Sequence, residues 1–352
     1  MELDVRNGHE GLIPLNHHPD FSKQGYQVIS ELGRNREGGR ITYLANVLNS
    51  KQQVVIKEFC FARADADLSG VKAYQREIEI LQQLNHSRIP RYVDSFEIPG
   101  AFYLVQEYKN APSLGLNSSF HPEEIKQIAL SILEILVYLQ KQIPPIIHRD
   151  IKPENILVDE QLNAYLVDFG LARIQGAKIA LSSFVAGTPG FMPPEEQFGH
   201  SLTEASDLYS LGATLICLLT NTRSVEIGKL IDDNYRFNFQ KLVPHISPRF
   251  RSWLMKMVER NRKRRYANAS IALKALRSIE VVGSATGIDN LIKIIKPRKR
   301  AIVLGLATVI TLAAMGATSI SCQPGGAVKQ FLEATECQSF DLNASCQEKT
   351  GH

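Results

Sequence analysis

The chain has 352 residues, of which 44% are hydrophobic and 22% are charged, and this ordinary globular balance excludes a wholly disordered chain. Its 5 cysteines are too few for a disulfide-rich scaffold, and a formal net charge of +4 is too small to indicate nucleic-acid binding by itself. The length is sufficient for one large domain or two modest ones.

The first part of the chain predicts a strand-rich lobe that follows a flexible arm. Residues 1–25 are polar and show no periodicity, which predicts the arm. Apolar residues spaced by three or four positions from Leu68 to Leu84 predict an amphipathic helix. Short apolar runs predict strands at residues 28–29, 41–44, 54–57 and 102–108, with a glycine-containing loop at residues 34–40.

Helices dominate the chain after residue 120. Pro122, followed by two glutamates, is typical of a helix N-terminus. The helical patterns cover residues 122–141, 206–220, 249–259 and 268–279, and a short hairpin is predicted at residues 156–158 and 165–167.

The strongest chemical signal is the segment HRDIKPEN, residues 148–155, which is followed by Asp168-Phe169-Gly170. Phosphoryl transfer needs carboxylate and amide oxygens for Mg²⁺, a cation on the phosphates, and an acceptor that orients the attacking hydroxyl. The two motifs supply residues of each kind.

At these residues the sequence resembles the eukaryotic-like (Hanks-type) serine/threonine protein kinases, and most of all the bacterial members with a single transmembrane span. The resemblance covers residues 26–280 and extends to the segments VVIK at 54–57 and GTPGFMPPEEQ at 187–197. It implies an α+β fold with two lobes, a β-rich N-lobe with one helix and a mainly helical C-lobe. It also implies ATP and Mg²⁺ as cofactors, with Mn²⁺ as an alternative.

The resemblance also implies roles for individual residues. Asp150 would be the catalytic base, and Lys152 would contact the γ-phosphate. Lys57 would bind the α- and β-phosphates and form an ion pair with Glu77. Asn155 and Asp168 would hold the metal ion.

The glycine-rich loop departs from the family pattern. Counted back from Thr42, which precedes Lys57 by fifteen residues, the loop is two residues too long, and arginine or asparagine replaces the middle glycine. Gly33, Gly38 and Gly39 could still bring backbone amides close to phosphates. The arginines at positions 34, 36 and 40 either add positive charge there or are simply solvated.

The resemblance implies roles for further positions, and those of Glu195, Arg265 and Asp207 would be structural. The backbones of Glu107 and Lys109 would face the adenine, next to Gln106 as gatekeeper. Glu195 would pair with Arg265, and Asp207 would brace the backbone of the catalytic loop, which is the HRDIKPEN segment at residues 148–155. A phosphate on Ser182 or Ser183 could pair with Arg149; the alternative is that both serines are part of a polar linker.

Residues 301–320 contain no charge and are long enough to span a bilayer as a helix. Five basic residues lie within 293–300, so we expect a basic tether at 281–300, contact with membrane lipid through 293–320, and a cytoplasmic kinase domain. The short tail, residues 321–352, would lie outside the membrane, where Cys322, Cys337 and Cys346 could form disulfides. The alternative is a buried helix of a soluble domain.

These observations together predict a membrane-anchored kinase that phosphorylates serine and threonine in proteins during signal transduction. Autophosphorylation in trans would involve a homodimer. We expect no nucleic-acid partner, because no aromatic residues interleave with the basic cluster at 260–265. The alternatives are a pseudokinase scaffold, supported only by the irregular glycine-rich loop, and a small-molecule phosphotransferase of kinase-like fold.

Overall fold

The computed structural model describes residues 18–35, 40–60, 68–116, 119–175 and 188–282, apart from the side chains of residues 35, 60 and 68–73. Within these ranges the chain forms one five-stranded sheet, two two-stranded sheets and six α-helices. The five-stranded sheet belongs to an N-terminal lobe and most helices to a C-terminal lobe. The predicted kinase-like α+β fold with two lobes is confirmed.

The N-lobe is an antiparallel sheet with the strand order β1-β2-β3-β5-β4. Its strands are β1 (Tyr26–Asn35), β2 (Arg40–Val47), β3 (Gln53–Cys60), β4 (Tyr92–Ile98) and β5 (Ala101–Glu107). Because side chains alternate between the faces of a strand, Val54 and Ile56 of β3 enter the core with no exposed area, and Lys57 lies on the opposite face. The sheet therefore presents Lys57 toward the cleft between the lobes.

The predicted flexible arm, residues 1–25, is too long at its C-terminal end. Phe21 is only 1% exposed and packs edge-on against Tyr103 of β5, with ring centroids 4.9 Å apart. A second ring, Phe96 of β4, lies 5.4 Å from Phe21. Burial of one large aromatic side chain is worth about 1.5–3 kcal/mol, so the residues around Phe21 belong to the folded lobe.

Two other features of the N-lobe differ from the prediction. Arg34 and Asn35 are the last residues of β1 and Arg40 is the first of β2, so the predicted loop at 34–40 is partly strand. The edge strand β4 was not predicted, because Asp94, Ser95 and Glu97 interrupt its apolar alternation. An edge strand has one open side and tolerates such polar residues.

Helix α1 (Leu68–Gln83) packs against β4 and β5 and confirms the predicted amphipathic helix. Tyr74 and Leu81 are buried, in accordance with the apolar spacing, whereas Ile78 of the same pattern is only partly buried and Ile80, outside the pattern, is buried. Glu77 lies on the same helix with no exposed area. The packing of α1 thus carries a carboxylate into the interior, opposite Lys57.

The C-lobe is built on helices α2 (Pro122–Gln140), α3 (Pro194–Gln197), α4 (Glu204–Leu219), α5 (Pro248–Met257) and α6 (Ala269–Arg277). Helix α2 begins with Pro122, and the Glu124 carboxylate accepts the His121 backbone N–H at 2.7 Å as part of a capping box. Helices α2, α4 and α6 pack on one another around a core that includes Phe250 and Trp253 of α5. The predicted helices agree with those observed to within one or two residues at each end.

Two small sheets shape the loops at the cleft. One joins β6 (Ile146–Ile147) to β9 (Arg173–Ile174), and the other joins β7 (Ile156–Val158) to β8 (Ala164–Leu166), which is the predicted hairpin. The segment HRDIKPEN runs from β6 to β7, and Asp168 follows β8. The sheets therefore bring the two sequence motifs to one side of the C-lobe.

The C-lobe extends slightly beyond the predicted boundary at residue 280. Val281 is 4% exposed, and its carbonyl oxygen accepts the Ser247 N–H at 2.6 Å. No helix in the described ranges is long and apolar enough to cross a membrane. The predicted span at 301–320, the tail at 321–352 and the rest of the tether after residue 282 lie outside the described residues.

Candidate active site

A cavity of about 840 Å³ opens between the two lobes. Both the strands β1–β3 and the loops of the C-lobe contribute to its wall. Six residues predicted for the site border it, namely Gly33, Thr42, Lys57, Lys152, Asn155 and Asp168. The volume suits a ligand as large as a nucleotide.

Lys57 joins the two lobes through two carboxylates. Its Nζ atom lies 2.7 Å from Oε1 of Glu77 on α1 and 3.2 Å from Oδ1 of Asp168. The exposed fraction is 10% for the Lys57 side chain and zero for that of Glu77. The ion pair predicted between Lys57 and Glu77 is therefore present, and Asp168 shares its cation.

The charges of this cluster stabilise one another. Burial by itself would lower the pKa of Lys57, but Asp168 and then Glu77 outweigh it and raise this pKa above its ordinary value. Burial would likewise raise the pKa of Asp168, but Lys57 and then Arg40 hold this pKa well below its ordinary value. Lys57 and Asp168 are consequently both charged at physiological pH.

Asp168 is followed by a phenylalanine that is buried in the core. The backbone φ of Asp168 is 64°, in the left-handed region that few non-glycine residues adopt. The side chain of Phe169 is only 1% exposed. The Phe169 ring packs edge-on against His148, with centroids 4.7 Å apart. Burial lowers the pKa of His148, which keeps its imidazole neutral beside the phenyl ring.

Asp150 lies in a polar network of the catalytic loop. Its Oδ2 atom is 2.9 Å from Lys152 Nζ and accepts a hydrogen bond from Asn155 Nδ2 at 2.8 Å. Its Oδ1 atom accepts from the Thr188 hydroxyl at 3.2 Å, and this hydroxyl accepts from Lys152 at 2.7 Å. The carboxylate is thus held by Lys152, Asn155 and Thr188, three residues that border the cavity.

Asp207 of α4 braces the catalytic loop, as predicted. Its carboxylate accepts the backbone N–H groups of His148 at 2.8 Å and of Arg149 at 2.9 Å. Burial raises the pKa of Asp207 despite these donors. The contact fixes the loop where Arg149 adopts a left-handed φ of 71°, a strained value for a non-glycine residue.

Arg265 and Glu195 form the predicted pair in the C-lobe. Nη1 and Nη2 of Arg265 each lie 2.7 Å from one carboxylate oxygen of Glu195, and the Arg265 side chain has no exposed area. The guanidinium also lies over the Tyr209 ring, 5.0 Å from its centroid. This bidentate pair ties α3 to the segment before α6.

A second buried pair, between Arg149 and Glu196, was not predicted. Nε of Arg149 donates to Oε1 of Glu196 at 2.7 Å, and both side chains are almost completely buried. Burial raises the pKa of Glu196 to about 7 against the opposing pull of Arg149. Arg76 and Arg173 lie close by, and burial followed by their mutual repulsion lowers the pKa of Arg173 to about 10.

The sequence contained one signal for this pair, the second glutamate in PPEEQ. It was missed because the resemblance assigns Arg149 to a phosphate in the activation loop, the segment between Gly170 and Pro193. Ser182 and Ser183, the candidate carriers of that phosphate, lie outside the described residues, so this interpretation stays a prediction.

The nucleotide-binding predictions are only partly covered by the described residues. Gly33 pairs with Thr42 across β1 and β2, and both border the cavity. Gly38 and Gly39 lie outside the described residues. Glu107 and Lys109 do not border the cavity, and their side chains pair with each other at 2.7 Å. The contacts predicted between these residues and adenine are made by backbone groups, so the pairing of the two side chains does not test them.

Asn155 and Asp168 have the chemistry of a Mg²⁺ site. The amide nitrogen of Asn155 donates to Asp150, so its amide oxygen is the atom that can bind a cation. Asp168 is ionised and borders the same cavity. Hard cations prefer such oxygen ligands, so these residues fit the predicted metal.

Comparison with known proteins agrees with this geometry. Residues 26–276 match the family model described as "Protein kinase domain". Serine/threonine-protein kinase D of Synechocystis sp. is 33% identical over an alignment of 266 residues that covers 72% of this chain and 52% of that protein. Serine/threonine-protein kinase B of the same organism is 33% identical over 272 residues, covering 71% of this chain and 46% of that protein.

A more distant relative comes from another bacterium. Serine/threonine-protein kinase PrkC of Bacillus subtilis is 32% identical over 200 residues, covering 55% of this chain and 30% of that protein. The chain spans about half the length of the first two relatives. Since the family model covers well over half of the chain and the cleft holds the family's lysine, glutamate and aspartates, this chain belongs to the protein kinase family.

Proposed function

We propose that this chain is an ATP-dependent protein kinase that phosphorylates serine and threonine hydroxyls of protein substrates. The observation that carries the proposal is the pair of charge networks at one cleft. Lys57 with Glu77 and Asp168 forms the first, and Asp150 with Lys152 forms the second. The names of the bacterial relatives support the choice of serine and threonine.

In this proposal each network has its own task. Lys57, oriented by Glu77, binds phosphates of ATP, while Asn155 and Asp168 hold Mg²⁺. Bound Mg²⁺ would neutralise charge on the phosphates. Asp150 accepts the proton of the substrate hydroxyl, and Lys152 stabilises charge on the transferred group.

The proposal is tested by phosphate transfer from labelled ATP. Full-length protein is incubated with labelled ATP, Mg²⁺ and a mixture of protein substrates, and labelled residues are identified after acid hydrolysis. We expect label on phosphoserine and phosphothreonine, and we expect Asp168→Asn to lower the rate by about 100-fold or more, since the metal site contributes several kcal/mol. Asp232→Asn, which changes a partly exposed carboxylate in a turn of the C-lobe, is the matched control.

Two results would contradict the proposal. One is label that remains at the wild-type rate in Asp168→Asn, and the other is label found only on tyrosine. Autophosphorylation is read from the same experiment without added substrate, and a rate that rises with protein concentration supports transfer between two copies.

We further propose that the protein is anchored in the cell membrane by residues 301–320, with the kinase domain in the cytoplasm. Three features of the sequence support this: the uncharged span, the five basic residues within 293–300, and the distance from the span to the next basic residue, Lys329. An anchored kinase would act on proteins at or near the membrane and could take part in signalling.

The orientation is tested with a reporter enzyme that is active only outside the cytoplasm. Fused after residue 330, the reporter should be active, because the basic flank retains the N-terminal side of the span in the cytoplasm. Fused after residue 285, it should be inactive. An inactive fusion at residue 330 would mean that residues 301–320 do not span the membrane in the proposed direction.

A further inference from the structure

Arg40 is a further cation at the cleft, and its position is set by the sheet. It opens β2 and pairs with Phe59 of β3, two positions from the pair formed by Thr42 and Lys57. Alternate residues of a strand share a face, so Arg40 lies on the same face of the sheet as Thr42 and its partner Lys57. Arg40 is the residue of this face nearer to the glycine-rich loop. Its guanidinium carbon lies 4.9 Å from the centroid of the Phe59 ring, which supports the side chain from one side.

Space beside Asp168 is left open for this guanidinium. A Cβ atom built on Gly170 would lie 2.8 and 2.9 Å from the two terminal nitrogens of Arg40. Real Cβ atoms essentially never approach other heavy atoms so closely, so a side chain at position 170 would displace Arg40. Because residue 170 is a glycine, the guanidinium of Arg40 can approach the carboxylate of Asp168.

The hydrogen-bond donors of Arg40 are not used up by this contact. Its Nη1 atom lies 3.6 Å from Asp168 Oδ1, which is an ion pair but too long for a good hydrogen bond. Lys57 differs, because its Nζ atom is hydrogen-bonded to both Glu77 and Asp168. Arg34, which also borders the cavity, has its guanidinium bound to Glu31 by contacts of 2.7 and 3.1 Å.

A partly exposed guanidinium at this place suits an anion in the cleft. The Arg40 side chain is 26% exposed, so it faces the cavity without being fully solvated. A planar guanidinium offers two parallel N–H donors to phosphate oxygens. The glycine-rich loop, which brings backbone amides to phosphates elsewhere in the family, is irregular in this chain.

We propose that Arg40 is a phosphate-binding residue of the nucleotide site, where its guanidinium takes over part of the task of the irregular glycine-rich loop. The inference rests on the proposed function, since it assumes that the cleft binds ATP. It adds a residue to the site that neither the conserved motifs of the family nor the relatives' names assign.

Equilibrium binding of ATP, ADP and adenosine to the full-length protein tests this role. The measurements are made by calorimetry, with Mg²⁺ and again with a chelator, on the wild type, Arg40→Met and Arg40→Lys. Charge-assisted hydrogen bonds contribute about 1.5–3 kcal/mol, so Arg40→Met should weaken ATP and ADP binding roughly 10- to 100-fold. Adenosine affinity should stay within about 2-fold, because adenosine has no phosphate, and Arg40→Lys should recover part of the loss.

The controls separate this role from a structural one. Arg277→Met removes a charge of the same kind from an exposed ion pair on the C-lobe surface and should leave ATP affinity unchanged. Thermal unfolding of the ligand-free variants checks that Arg40→Met still folds, and Arg40→Gln replaces it if it does not.

The outcomes also separate this inference from the proposed function. If wild type binds ATP but Arg40→Met binds it within 2-fold of wild type, Arg40 is not a phosphate ligand and the proposed function stands. Equal losses for adenosine and ATP would likewise contradict the inference, because the effect would not depend on phosphate. If wild type binds none of the three compounds, the proposed function fails and the inference fails with it.

Discussion

Replacement of Asp150 by asparagine is expected to lower kcat by roughly 10²–10⁴, the usual contribution of a general base. The effect should fall on the chemical step, because the hydrogen bond that Asn155, a proposed Mg²⁺ ligand, donates to Asp150 can still be accepted by asparagine, and Lys57 and Asp168 form a separate cluster. Affinity for ATP, measured without turnover, should therefore remain close to that of the wild type.

The substitution is chosen to preserve the shape of the network. An asparagine at position 150 has the same size and can still accept a hydrogen bond from Asn155, but it cannot take up a proton from a substrate hydroxyl. Asp159→Asn is the matched control, because Asp159 belongs to the turn between β7 and β8 and its carboxylate binds only local groups such as Asn163 and Tyr165. Asp159→Asn should keep nearly full activity.

The result would count against Asp150 as base in two cases. More than about a third of the wild-type kcat in Asp150→Asn would exclude a rate contribution of the expected size. A loss of ATP affinity as large as the loss of kcat would mean that the substitution disturbs the nucleotide site and not the proton transfer.

Local patterns in the sequence predicted the elements, but they did not predict which residues meet. The spacing of Tyr74 and Leu81 marks the buried side of α1. It does not indicate that Glu77 of this helix pairs with Lys57, which lies 20 residues earlier in the chain. The pairing of Lys57 with Glu77 came from the resemblance to a family, whereas the contact between Lys57 and Asp168, 111 residues apart in the chain, was not predicted. A pairing of this range depends on the whole fold, which short windows of sequence do not contain.

The missed contacts share a physical cause. Arg40 ends a run of charged residues and glycines, and Phe21 stands among polar neighbours, so composition assigned one to a loop and the other to an arm. Each is placed by a partner on another strand: Phe59 for Arg40, and Tyr103 for Phe21. A single side chain with no periodic neighbours gives no pattern, and its surroundings become visible only when the sheet is assembled.

Replacement of Arg265 by methionine is expected to destabilise the protein by about 3–5 kcal/mol, because it leaves the carboxylate of Glu195 buried without its cation. The guanidinium makes several other contacts that methionine cannot replace. Its Nε atom donates to the Glu259 carbonyl at 2.6 Å and Nη1 donates to the Ala205 carbonyl at 3.1 Å, so the loss involves α4 as well as α3.

Denaturant unfolding followed by tryptophan fluorescence measures this loss. Trp253 is the one tryptophan of the chain, and it is buried in the C-lobe with its Nε1–H donated to the Ala272 carbonyl at 3.1 Å. Its emission therefore reports on the lobe that the ion pair holds together. Arg277→Met is the matched control, since its ion pair with Glu134 is exposed and is worth about 0–1 kcal/mol.

A double variant tests the reason given for the effect. If the cost of Arg265→Met comes mainly from the uncompensated charge, Glu195→Gln in the same chain should recover part of the stability, because a neutral amide is far cheaper to bury than a carboxylate. The Ser206 hydroxyl, which donates to Glu195 at 2.9 Å, can donate to the glutamine oxygen instead. Two outcomes would contradict this reason. One is a double variant with a lower free energy of unfolding than Arg265→Met. The other is a loss of stability in Arg265→Met no larger than that in Arg277→Met.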